Sequence, residues 1–174
     1  MSAAPEAQAS KPSLIEAYAG PASEELPIAG YATLGLTYAS VFGSLLWAGA
    51  KRRRLPEFMG WRDIVLLGLA THRLSRILTR DRVAAPLRMP FTEYEGKAGA
   101  GEVKERPRGR GLRRAVGSLL TCQFCAGPWI AASLATALTV QPRPTRLVAS
   151  VLTAVSVSDF AHQLYAGARS LSAK

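Results

Sequence analysis

Two cysteines, two histidines and one aspartate carry the chemistry that this sequence could perform. Cys122 and Cys125 are the only cysteines and stand three apart in Cys122-Gln123-Phe124-Cys125. That spacing suits a redox pair, half of a tetrahedral metal site, or a reduced pair that serves as two small apolar side chains. The only histidines, His72 and His162, would complete a four-ligand zinc site if their segments met the cysteines. Redox use needs one thiol at a helix amino terminus, and Pro128 offers a helix start three residues on. The βαβ pattern of thioredoxin-like proteins is missing. We expect the reduced structural pair and no cofactor, with zinc as the alternative. Asp159 and His162 lie one helical turn apart in the last apolar stretch, so they could serve a proton or ion path. We expect instead that Asp159 pairs with an arginine of the Leu74 to Asp81 helix and fixes the geometry of a bundle.

These residues are positioned by long apolar runs. Val116 to Val140 contains 25 residues without a charge and holds both cysteines; at about 1.5 Å per helical residue it could cross a hydrocarbon layer of roughly 30 Å. Ile28 to Ala50 gives 23 more uncharged residues, closed by Lys51, Arg52, Arg53 and Arg54. Within it Gly35, Ala39 and Gly43 recur every fourth position, a spacing that permits close helix approach in lipid. Leu147 to Ala166 forms the third apolar segment. Phe58 to Arg80 is interrupted by His72, Arg73 and Arg76; Ile64, Leu67, Ala70, Leu74, Ile77 and Leu78 share one helical face, so we expect an amphipathic helix at the interface or docked against the spans, with a short tilted crossing as the alternative.

Charge is segregated from these runs. The chain of 174 residues has a net charge of +10, and 17 of its 22 Lys and Arg lie between Lys51 and Arg114, against 7 of its 12 acids. A nucleic-acid binder could show such a segment, but one flanked by long apolar runs fits a cytoplasmic loop facing anionic lipid headgroups. No nucleic-acid partner is expected. Residues 1–27 read as a flexible acidic tail, with a short helix near Ser13 to Tyr18. Residues 28–50 form a first transmembrane helix and 58–170 a membrane domain with a cytoplasmic basic loop over 81–114. In that loop Pro86 to Phe91 reads as an extended strap and Glu95 to Gly111 as a mobile loop. Arg73, Arg76, Arg80, Arg82 and Arg88 read mostly as a solvated or lipid-facing basic side; Asp81 would cap the next segment or pair with Arg88.

Three stretches together resemble a known family: Leu74-Ser75-Arg76-Ile77-Leu78-Thr79-Arg80-Asp81, Pro86-Leu87-Arg88-Met89-Pro90-Phe91, and Cys122 through Trp129 with Gly127. They are similar to the bacterial membrane proteins of domain-of-unknown-function family 1360, some from spore-forming bacteria. Arg73, Arg76, Asp81, Pro86, Arg88, Pro90, Phe91, Cys122, Cys125, Gly127 and Trp129 are the motif residues. The likeness runs from about Trp61 to Tyr165, so the first apolar helix is an extension. Pro128 stands where the family has an aromatic residue, and Gln123-Phe124 where it has Pro-Trp. The resemblance carries no activity.

The expectation is therefore an all-α, small transmembrane bundle of about three spanning helices plus one amphipathic helix. It would be multi-pass in the bacterial plasma membrane, with the N-terminus outside and the basic loop and C-terminus in the cytoplasm. No nucleophile–base–acid set and no phosphate loop is present. A non-enzymatic structural or interaction component is expected, bound to lipid and to a membrane partner or a second copy. A membrane thiol or metal protein and a small ion or proton conductor are the alternatives.

Overall fold

The computed structural model describes Tyr18, residues 26–52 and residues 59–172. The expectations for the acidic tail fall outside these residues, apart from a helical Tyr18. In chain order the elements are α1 (Ile28–Lys51), α2 (Trp61–Thr79), a 3-10 turn (Arg82–Ala84), α3 (Ala85–Arg88), β1 (Thr92–Gly99), β2 (Glu102–Pro107), α4 (Gly111–Thr121), α5 (Gln123–Val140) and α6 (Pro142–Ser172).

The centre is a three-helix core of α2, α5 and α6, built on Leu67, Ala70, Leu138 and Ala149. Ala70 and Ala149 are fully buried. Such small side chains let the helix backbones approach, and hydroxyls then reach across: Thr153 Oγ1 donates to the Leu66 carbonyl and Ser156 Oγ to the Leu69 carbonyl, both at 3.0 Å. Cross-helix bonds of this kind hold bundles together where lipid supplies no hydrophobic drive.

Contacts along α2 give its direction. Asp63 meets Arg146 near the starts of α2 and α6, and Arg73 meets Asp159 further along both, so the two helices run parallel. α5 turns into α6 at Gln141 and runs against both. α2 therefore runs along the core, docked against α5 and α6. Its inward positions are Leu67, Ala70, Ser75 and Thr79, while Ile64 is 57% exposed. The expected apolar face is thus rotated, because close approach to α6 favours small side chains over Ile64.

The uncharged 116–140 stretch is two helices, not one. Cys122 leaves helical geometry at φ −115°, ψ 106°, ending α4 and capping α5. Pro128 lies inside α5, so it does not mark the helix start. α1 runs alongside α4 and α5 in the same direction. A Cβ on Gly30 would meet Ala115 Cβ at 2.7 Å, Tyr31 Oη donates to Ser118 Oγ, and Tyr38 and Phe42 stack edgewise on Trp129.

Two parts of the basic segment differ from expectation, and the fold is mostly helical without being all-α. Ala85–Arg88 is a helical turn with Pro86 at its start, where a fixed φ and a missing N–H are tolerated; it is not an extended strap. Residues 92–107 form an antiparallel hairpin in place of a mobile loop. Its turn places Gly101 at φ +78°, and cross-strand Glu93 and Arg106 pair at 2.8 Å. The hairpin packs on α4, where Gly117 has no room for a side chain: a Cβ would strike the Phe91 carbonyl and lie 3.1 Å from Pro107 Cα.

Among the described residues two helices, α5 and α6, are long and apolar enough to cross a bilayer.

Candidate functional site

One end of the core carries a network of arginines and acids that joins α2, α6 and the hairpin. It starts where α2 ends, because the last carbonyls of a helix have no partners in the helix itself. Arg88, on α3, supplies them: its Nη1 donates to the carbonyls of Leu78 at 2.8 Å and Asp81 at 3.1 Å. Its Nε and Nη2 hold the two oxygens of the Glu105 carboxylate at 2.8 and 3.0 Å, and Thr92 Oγ1 donates to the same carboxylate at 2.9 Å. The Arg88 side chain is 0% exposed. It is therefore a buried strut between helix end and strand, not part of a solvated basic side.

The other arginines divide by position. Arg76 grips Glu102 through Nε at 2.8 Å and Nη2 at 2.5 Å. Arg73 bridges Asp159 at 3.2 Å and Asp81 at 3.3 Å, drawing α6 and the end of α2 together. Asp81 sits before the 3-10 turn but makes no side-chain cap there, and only its carbonyl meets Arg88. Arg80 and Arg82 are exposed. Arg113 donates twice to the Pro90 carbonyl, and the Phe91 carbonyl accepts from the Arg108 N–H, which ties the chain after α3 to α4.

Cys122 and Cys125 stand at disulfide distance, with their Cα atoms 5.2 Å apart. Helix capping brings them together: the Cys125 N–H donates to Cys122 Sγ at 3.2 Å and to the Cys122 carbonyl at 3.1 Å. Cys125 is exposed and Cys122 half-buried. His72 stacks on Phe160, and His162 is exposed on α6. Among the described residues no three His, Cys, Asp or Glu side chains gather as metal ligands. Gly127 is half-buried and a Cβ there would meet nothing, whereas its neighbour Trp129 is the seat of α1.

Glu102, Glu105, Ser156 and Thr153 were not among the sequence candidates. The two acids stand in a charged, glycine-rich stretch that reads as loop, so nothing marks them. The two hydroxyls leave no signal either, because Ser and Thr are ordinary in apolar helices.

Residues 66–165 match the family described as "Protein of unknown function (DUF1360)". The chain belongs to this family. α1 lies outside the match, while every arm of the arginine–acid network lies within it. Sporulation protein YjcA of Bacillus subtilis (strain 168) is 41% identical over 83 residues, which is 46% of this chain and 70% of that protein. No solved structure matches the chain.

Proposed function

We propose that this DUF1360 protein is a non-enzymatic, multi-pass protein of the bacterial plasma membrane. Its task is to hold the hairpin platform at the cytoplasmic face, against anionic lipid headgroups and a partner protein or second copy. The observation that carries this reading is the buried Arg88–Glu105 pair, which locks the hairpin to the end of an apolar bundle. A strut of that cost suits a platform whose shape matters.

Beside α5 and α6, the two helices long and apolar enough to cross, we read α1 and α2 as further crossings because they pack along the same bundle. α1 runs parallel to α5, so its amino end lies on the hairpin side and Lys51 on the other. Most Lys and Arg then lie on the hairpin side, which favours cytoplasm for the hairpin, the C-terminus and also the N-terminus. This reading puts the N-terminus on the side of the basic loop, where the flanking charge of α1 by itself suggests the opposite side. Residues 58–170 would be the membrane domain and 28–50 its added helix. The relative's name makes sporulation the process to examine first.

The test is extraction of tagged protein from membranes with alkaline carbonate, followed by crosslinking from a photoreactive residue at Gly99. Retention in the pellet and a discrete crosslinked species are expected. Release by carbonate would end the membrane reading; no crosslink above that of a scrambled-hairpin variant would end the platform reading.

A further inference from the structure

We infer that Cys122–Cys125 is a thiol–disulfide exchange site for a protein dithiol, not a structural staple. The bond closes a loop of only four residues, so it restrains little of the unfolded chain, and a staple gains most from a long loop. It joins positions that helix capping already brings together, so the fold does not depend on it for register. The two sulfurs are also unequal. Cys125 is exposed, while Cys122 is half-buried at the amino end of α5, with its sulfur accepting the Cys125 N–H. Phe124, between them, is 81% exposed and offers an apolar contact for an incoming chain.

This inequality assigns the chemistry. A thiolate of the partner attacks Cys125 Sγ, a mixed disulfide forms, and the Cys122–Cys125 bond breaks with its electron pair left on Cys122 Sγ. Negative charge there is met by the N–H and by the helix amino end, which favours Cys122 as the leaving sulfur. The partner's second thiolate then attacks its own sulfur of the mixed disulfide and releases Cys125 as thiolate. The partner dithiol is oxidised to a disulfide by two electrons, and the pair is reduced by two; both released thiolates take up protons. The same steps reversed oxidise the pair at the expense of a protein disulfide. On the orientation proposed above, the pair faces the cytoplasm, where disulfides are transient and serve exchange. That one argument rests on the orientation; the sulfur geometry does not.

The full-length protein in lipid nanodiscs is the material for the test. Reduced dithiol peptide is added, and the cysteines are counted by alkylation and mass. Reversible reduction with unchanged helical circular dichroism is expected. A bond that opens only in denaturant would make it a staple and overturn the inference. The mixed disulfide trapped by acid quench and mapped by mass should carry the peptide on Cys125. Peptide on Cys122 would overturn the assignment of the attacked sulfur. Phe124→Ala, which keeps both cysteines, should slow exchange with the peptide but not with glutathione. Labelling of Gly99→Cys from outside the cell would fail the orientation alone and leave the exchange result standing.

Discussion

Arg88 is wholly buried, and its guanidinium holds both carboxylate oxygens of Glu105, seventeen residues further along the chain. The same guanidinium caps the last turn of α2 through the Leu78 carbonyl. One side chain thereby fixes a helix end, a turn and a strand.

Removing either partner strands a buried charge. Arg88→Ala or Glu105→Ala should each cost about 3–5 kcal/mol, read from denaturant unfolding in detergent. Arg88→Lys should not restore stability, because an ammonium cannot span the carboxylate and two carbonyls at once. Wild-type stability in Arg88→Lys would show that charge alone suffices.

Asp159 should matter less, because Arg73 keeps Asp81 when Asp159 is neutralised. Asp159→Asn is expected to lower stability by about 1 kcal/mol. Reconstituted vesicles should show the same ion and proton leak with either protein. A wild-type conductance that disappears in Asp159→Asn would establish the conductor alternative.

Two glycines carry the close contacts, and neither belongs to the Gly35, Ala39 and Gly43 series. A Cβ on Gly30 would clash with Ala115 on α4, while one on Gly35 or Gly43 meets nothing. Gly30→Leu should loosen α1 and expose Trp129 to quenchers; Gly35→Leu should leave that fluorescence unchanged. Gly117→Val should part the hairpin from α4 and speed proteolysis near Gly99. Equal effects at Gly30 and Gly35 would contradict the packing.

Single cysteines at Leu26 and Gly99, in a chain with Cys122 and Cys125 replaced by Ser, should be labelled by an impermeant maleimide from the same side of the membrane. The parallel run of α1 with α4 and α5 requires it. Labelling from opposite sides would mean that α1 does not pack as described.

Several features were legible because they depend on local composition. Uncharged runs and their flanking charge marked α1, α5 and α6, and the periodicity of Leu67 and Ala70 marked α2. The motif stretches marked the family. The hairpin was not legible, since Thr92 to Pro107 is rich in charge and glycine and reads as loop. Its strands persist because Arg76 and Arg88 hold Glu102 and Glu105 from outside the sheet.

By itself the sequence determined which segments are helical and apolar, because solvent preference is a property of each segment alone. Only the tertiary structure decided what the ionisable groups do. Arg88 as solvated side or buried strut depends on Leu78, Asp81 and Glu105, and the place of Asp159 depends on Arg73, all groups that the fold brings within a few ångströms. Charge at that range is set by partners, and partners are chosen by packing.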